Sequence, residues 1–278
     1  MKIDDEIASL IKNTGINAGD FVWLFADVTR LALYSRKQGE RFDMNILIDR
    51  VLDAIGPEGT LILPTFNFDL RSGENFDPQK TATVCGALSE AARLRPDFER
   101  TKNALHSFVV KGKLKEALFA CDRLCSYGKG SIFELVADQK CQLLSIDLSL
   151  HNSFTFIHYI EEIARVPYRY DRVVDIKVEG GNVEHFRLFS KRSGYSLDLG
   201  QLENVFRKEG IIKDIESDLC KVWTLDLAGS IPLVQVELNE NKARNILRFD
   251  LVAKLKETLK SWGWRSKNDK IREAARTR

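Results

Sequence analysis

The sequence predicts an α/β protein whose C-terminal part is rich in antiparallel hairpins, and three observations predict it. Residues 21–25 and 60–64 are continuous apolar runs of strand length. Between them, residues 44–55 are apolar at helical spacing, so strand, helix and strand follow one another as a βαβ unit. Beyond residue 165 the texture changes. Residues 173–178 and 183–189 alternate apolar and polar around Glu179-Gly180-Gly181-Asn182, which reads as a hairpin with one wet face.

Taken in order, Ile3, Ile7, Leu10 and Ile11 recur at helical spacing and place a helix over 3–13. Gly15 and Asn17-Ala18-Gly19-Asp20 end it before the strand at 21–25, and residues 26–30 are the loop beyond that strand. Gly56-Pro57-Glu58-Gly59 separates the 44–55 helix from the strand at 60–64, and a polar loop runs to Pro78. A helix at 84–94, a strand at 104–110 and a helix at 114–123 follow. Ser131, after the glycine turn Tyr127-Gly128-Lys129-Gly130, is placed to cap a helix at 132–137. The apolar run 142–150 is a buried strand, and a short helix opens at Phe154. After the hairpin come a helix at 199–209, strands at 221–227 and 233–238, and a closing helix at 245–262. With no linker or repeat, the 278 residues form one domain, the second part packing on the first.

Composition excludes several classes. A net charge of +2 gives no global field for nucleic acid, and the basic tail after residue 250 lacks an aromatic strand face. No apolar run reaches the ~18 residues of a membrane span. The five cysteines, at 85, 121, 125, 141 and 220, lack zinc-finger spacing and fit reduced thiols in a cytoplasmic protein. The four histidines offer no clustered ligand set for a metal.

Ligands of α/β sheets bind beyond the carboxyl ends of the strands, so Asp27, Thr29, Thr65, Asn67 and Asp69 stand where a site would form. The same residues serve ordinary turns. One pair has a spacing that guarantees proximity: His158 and Glu161, three apart on a helix. A carboxylate beside an imidazole orients it and favours its charged form, as a general base requires. Ser107 and Ser153 lack the Gly-x-Ser-x-Gly elbow that would make either a hydrolase nucleophile. Acyl transfer to an amine asks only for a base, a donor for the carbonyl oxygen and a groove for the carrier.

Four words occurring in order and register resemble the aminoglycoside 3-N-acetyltransferase family. They are Gly59-Thr60-Leu61-Ile62-Leu63-Pro64-Thr65, His106-Ser107-Phe108-Val109-Val110-Lys111-Gly112, Tyr127-Gly128-Lys129-Gly130-Ser131-Ile132-Phe133 and Thr155-Phe156-Ile157-His158-Tyr159-Ile160-Glu161-Glu162. Together they cover about residues 5–170. The run Val166-Pro167-Tyr168-Arg169-Tyr170 resembles the branch found in surface-polysaccharide gene clusters. The resemblance implies a three-layer α/β/α fold with a mixed central sheet, a catalytic core over about 1–170 and a hairpin and helical part over about 171–278. It implies acetyl-CoA as co-substrate, an amino-sugar acceptor, no metal, and room for an oligomer. It places His158 as general base, Glu161 as its acidic partner and Asp69 at an acceptor-binding position. Thr155 falls near the thioester, and Asp27, Thr29, Thr65 and Ser107 fall on the coenzyme A side. Where the family's first strand usually ends His-Ser-Ser or His-Ser-Asp, this chain has Phe25-Ala26-Asp27. The hairpin word Phe186-Arg187-Leu188-Phe189 lacks the acidic residue of resistance enzymes.

The expected activity is therefore N-acetylation of an amino sugar, nucleotide-linked or destined for a surface glycan. Aminoglycoside resistance is the alternative within the class, and a non-catalytic sugar- or coenzyme A-binding scaffold the alternative outside it.

Overall fold

The structure, a computed structural model, describes residues 3–252 and 254–255. Seven strands form the central sheet in the order β3-β4-β2-β1-β5-β10-β9. They are β1 (Phe21–Ala26), β2 (Thr60–Pro64), β3 (Glu99–Arg100), β4 (Phe108–Gly112), β5 (Gln142–Ile146), β9 (Ile212–Ile215) and β10 (Val222–Asp226). β1 lies parallel to both β2 and β5. The outer pairs, β2 with β4, β3 with β4, β5 with β10 and β10 with β9, are antiparallel. The sheet is thus mixed, as the resemblance implied.

Period-two alternation divides the core into layers. Val22, Leu24, Leu61, Leu63, Leu144 and Ile146 pack in one cluster with α1 (Ile3–Asn13), α3 (Met44–Ile55) and α4 (Ala87–Arg93). Trp23, Phe25, Ile62, Leu143, Trp223 and Leu225 face the other side. There they meet α6 (Ile132–Asp138), α8 (Ile157–Ile163), α9 (Gly200–Lys208) and α10 (Leu227–Asn239). Strands covered on both faces carry no polar stripe, which is why they read as unbroken apolar runs. Shorter helices complete the chain: α2 (Thr29–Lys37), α5 (Lys115–Ala120) and α7 (Leu150–Ser153).

The hairpin of β6 (Arg169–Lys177) and β7 (Val183–Lys191) pairs Arg169 with Lys191 at its open end and Lys177 with Val183 at its turn. Gly180 and Gly181 hold φ of 82° and 80° in that turn, a left-handed region that favours glycine. Val174, Ile176 and Phe186 bury its inner face on Phe76, Ala104 and Leu105. A smaller pair joins β8 (Tyr195–Leu197) to β11 (Leu247–Phe249).

Several sequence expectations need correction. Residues 233–238 are helical, inside α10; their short alternation of apolar and polar residues fits a helix as well as a strand. The chain at 247–249 is strand β11; helix resumes at 251–252 and 254–255, and the rest of the expected 245–262 helix lies outside the described residues. The strand expected at 104–110 starts only at Phe108, and the one expected at 142–150 ends at Ile146. Ser131 occupies the cap position of α6 but makes no capping bond. α2, β3, β8 and β9 are additional elements, too short or too polar to stand out by periodicity.

Candidate active site

β1 is the point where the chain's parallel crossovers diverge, to β2 on one side and β5 on the other. Such a switch point opens a crevice beyond the strand ends. A chamber of about 520 Å³ lies there, lined among others by Phe25, Asp27, Thr29, Phe66, Cys85 and Asn152. Among the described residues, no Lys or Arg lines it. Asp27 and Thr29 stand where the sequence expected them. Asp27 Oδ1 accepts the backbone N–H of Thr29 at 2.9 Å, closing the turn that starts α2. The hydroxyl and amide of Thr29 hold the Asp27 carboxyl below the usual range.

A second chamber, of about 490 Å³, shares the side chains of Phe68 and Thr155 with the first. His151, Ile157, His158, Arg169, Lys191, Leu197 and Leu199 contribute to its lining. His158 sits on α8, whose Ile157 and Ile160 are buried in the core. That packing fixes the helix face on which His158 and Glu161 meet one turn apart. The imidazole is 24% exposed while the Glu161 side chain is fully buried.

A buried carboxylate must find partners for its oxygens. Glu161 Oε1 accepts the Tyr168 hydroxyl at 2.7 Å. Its Oε2 lies 2.7 Å from His158 Nδ1 and 2.6 Å from Arg169 Nε. The Arg169 contact is an ion pair whose Nε–H is poorly aligned as a hydrogen bond. Arg169 Nη1 donates to the Phe189 carbonyl at 2.8 Å, and Nη2 lies 2.7 Å from His158 Nδ1. A guanidinium only donates. Nδ1 therefore either donates to Glu161 or accepts from Arg169, and only the first arrangement leaves the Nε2 lone pair for a substrate. Burial and the Arg169 charge lower the imidazole's pKa, against the opposing pull of Glu161. Burial would raise Glu161, but His158 and Arg169 outweigh it and keep the carboxyl below its ordinary value. At neutral pH the set is a neutral imidazole, a carboxylate and a guanidinium.

Other expected residues fall elsewhere. Thr65 and Ser107 are fully buried and line neither chamber. Ser107 Oγ donates to the Thr65 carbonyl at 2.7 Å and accepts from Arg100 Nε at 2.9 Å, so both residues anchor a buried guanidinium. The sequence expected both on the coenzyme A side; in the structure their hydroxyls face this buried guanidinium. Ser153 Oγ bonds the Ser149 carbonyl at 2.9 Å within α7. Asp69 is exposed on the turn after β2, next in the chain to Phe68, and lines neither chamber. Tyr168, Arg169 and Lys191 are site residues that spacing alone could not find. A local cue existed for the first two: Pro167 follows the helix end, where Arg165 turns the chain back at φ 49°.

Two chambers that adjoin at Phe68 and Thr155, one of them lined by an oriented imidazole, suit a group-transfer enzyme on an α/β scaffold. The profile of the aminoglycoside 3-N-acetyltransferase family matches residues 37–234, and the chain belongs to that family. It is accordingly an acyl-CoA-dependent N-acyltransferase. Similar solved structures support the fold. AAC-IIIb in a binary complex with CoASH shares 21% identity at a TM-score of 0.73, over 86% of this chain and 96% of that one. YokD from Bacillus subtilis shares 17% at 0.70, over 86% and 98%. AAC-VIa bound to sisomicin shares 18% at 0.69, over 86% and 97%. No curated protein matches the sequence significantly. Among the described residues, no helix is long and apolar enough to cross a membrane.

Proposed function

We propose that the enzyme transfers an acetyl group from acetyl-CoA to the amine of an amino sugar, with His158 as general base. One observation carries this reading: His158 lines the chamber that adjoins the strand-end crevice, with Nδ1 held by a buried carboxylate. In the reaction, Nε2 takes a proton from the acceptor amine as its nitrogen attacks the thioester carbonyl. The carbon–nitrogen bond forms, the carbon–sulfur bond breaks, and coenzyme A leaves as a thiolate. Glu161 holds the Nδ1–H and balances the imidazolium that forms. Burial, with the Arg169 charge that offsets Glu161, keeps the imidazole neutral before reaction.

The strand-end chamber suits the pantetheine arm rather than the diphosphate, since its lining is largely apolar and holds no cation. Asp27 and Thr29 serve as polar contacts for that arm. The Thr155 hydroxyl, on the wall common to both chambers, serves as donor to the carbonyl oxygen. Asp69, at the exposed turn, contributes to amine binding rather than to proton transfer. An amino sugar of surface-glycan assembly, nucleotide-linked, suits a hairpin whose word Phe186-Arg187-Leu188-Phe189 lacks the acidic residue of resistance enzymes. Family membership favours a second reading, an aminoglycoside acceptor. Modification of any drug in a 2-deoxystreptamine panel would establish it.

The test of the mechanism is His158→Ala with acetyl-CoA and a hexosamine panel. Loss of a general base lowers kcat by ~10²–10⁴. Transfer persisting within a few-fold would sink the role of His158.

A further inference from the structure

The acceptor chamber is electrically one-sided. Among the described residues its titratable lining is His151, His158, Arg169 and Lys191, with no Asp or Glu side chain. The buried charges behind it cancel: the Arg169 guanidinium lies on the Glu161 carboxylate. Lys191 is different. It is exposed, and among the described residues its ammonium has no ion-pair partner. Its charge reaches the imidazole, pulling the His158 pKa down. The β6–β7 ladder explains its presence, because Arg169 and Lys191 are directly paired. Opposed residues of an antiparallel pair project on the same face. His151, exposed on α7, brings a second donor to the same lining.

We propose that Lys191, with His151, is a binding site for an anionic group on the acceptor, a carboxylate or phosphate carried by the same molecule as the reacting amine. The proposal rests on the acceptor role given to this chamber above. A polycation would meet an uncompensated ammonium beside the base. An acceptor bearing both an amine and an anion neutralises Lys191 while its amine reaches Nε2. Charge complementarity at such a rim governs selection among acceptors more than the chemical step.

Binding and turnover separate the two claims. Calorimetry in the presence of coenzyme A would compare a hexosamine, its phosphate ester, the corresponding amino-uronic acid and a 2-deoxystreptamine drug, on the wild type and on Lys191→Glu. The expected result is about tenfold tighter binding of an anionic sugar than of the plain hexosamine. That preference disappears in Lys191→Glu, and a thermal melt unchanged from the wild type certifies its fold. Gain by the phosphate alone identifies a phosphoryl group; gain by both anions identifies a general anion site. No preference for the anionic sugars in the wild type overturns the proposal, as does a preference that survives in Lys191→Glu. Lys191-dependent binding without coenzyme A release from acetyl-CoA would instead sink the transferase assignment and leave the anion site standing.

Discussion

His106 and His158 both lean on Tyr127, yet their surroundings differ. The Tyr127 hydroxyl lies 2.7 Å from His106 Nε2, and its ring packs edge-on against His158 at 5.3 Å. His106 is buried and has only neutral partners: Ser126 Oγ lies 3.0 Å from its Nδ1. Burial, with lesser repulsion from His158 and Arg169, pushes its pKa down to about 3. His158 is pushed down as well, but a carboxylate holds its Nδ1 and part of its ring is open to a chamber. Burial alone makes a histidine a neutral packing residue. An acidic partner on one nitrogen and a partly exposed ring give His158 what the proposed base requires.

The widest separation of the two comes from replacing each with alanine or a neutral isostere. His158→Ala removes the proposed proton acceptor, with an expected ~10²–10⁴ loss in kcat; His106→Gln leaves kcat within a few-fold in the same coenzyme A-release assay. Equal losses would erase the distinction. Glu161→Gln tests the partner rather than the ring. It strands the buried Arg169 charge, which costs about 3–5 kcal/mol in a denaturant melt when one partner of a buried pair is removed.

A smaller effect is specific to His106. Its folded pKa of about 3 lies below the ordinary 6.5, so between those pH values the unfolded chain binds a proton that the folded chain does not. Stability is therefore fully present above about pH 6.5 and falls on acidification by up to about 1.4 kcal/mol per pH unit. His106→Gln flattens that limb, as urea midpoints across the range would reveal. The smallest effect on activity is a shift in the pH profile, read on Arg169→Met. Arg169 depresses His158, so its loss moves the acid limb of the kcat profile to higher pH; a limb that stays fixed or moves down contradicts the tuning role.

The sequence made one part of this site legible and hid the other for physical reasons. His158 and Glu161 were visible because helical geometry converts a three-residue spacing into contact. The central strands were visible because burial on both faces leaves unbroken apolar runs. Arg169 was not, since its contact with Glu161 depends on the chain doubling back at Arg165 and Pro167. Lys191 needed the ladder register across the hairpin, which no local pattern specifies. Thr65 and Ser107 look like any strand-end hydroxyls; only the position of Arg100 reveals that they face inward. Residues 233–238 misled because Val234-Gln235-Val236-Glu237-Leu238 alternates apolar and polar like a strand over too few residues to show the helical period.

The hairpin register has one more consequence. Arg169 and Lys191 occupy the same rung but opposite rails. Arg169 is tethered to Glu161, whereas Lys191 is held in place only by pairing that is set at the glycine turn, roughly 27 Å away at about 3.4 Å per strand residue. A one-residue slip of β7 would turn Lys191 off the chamber while β6 kept the base and its carboxylate intact. Indels at a remote solvent-facing turn are thus a route by which a lineage could exchange acceptors without passing through a catalytically dead ancestor.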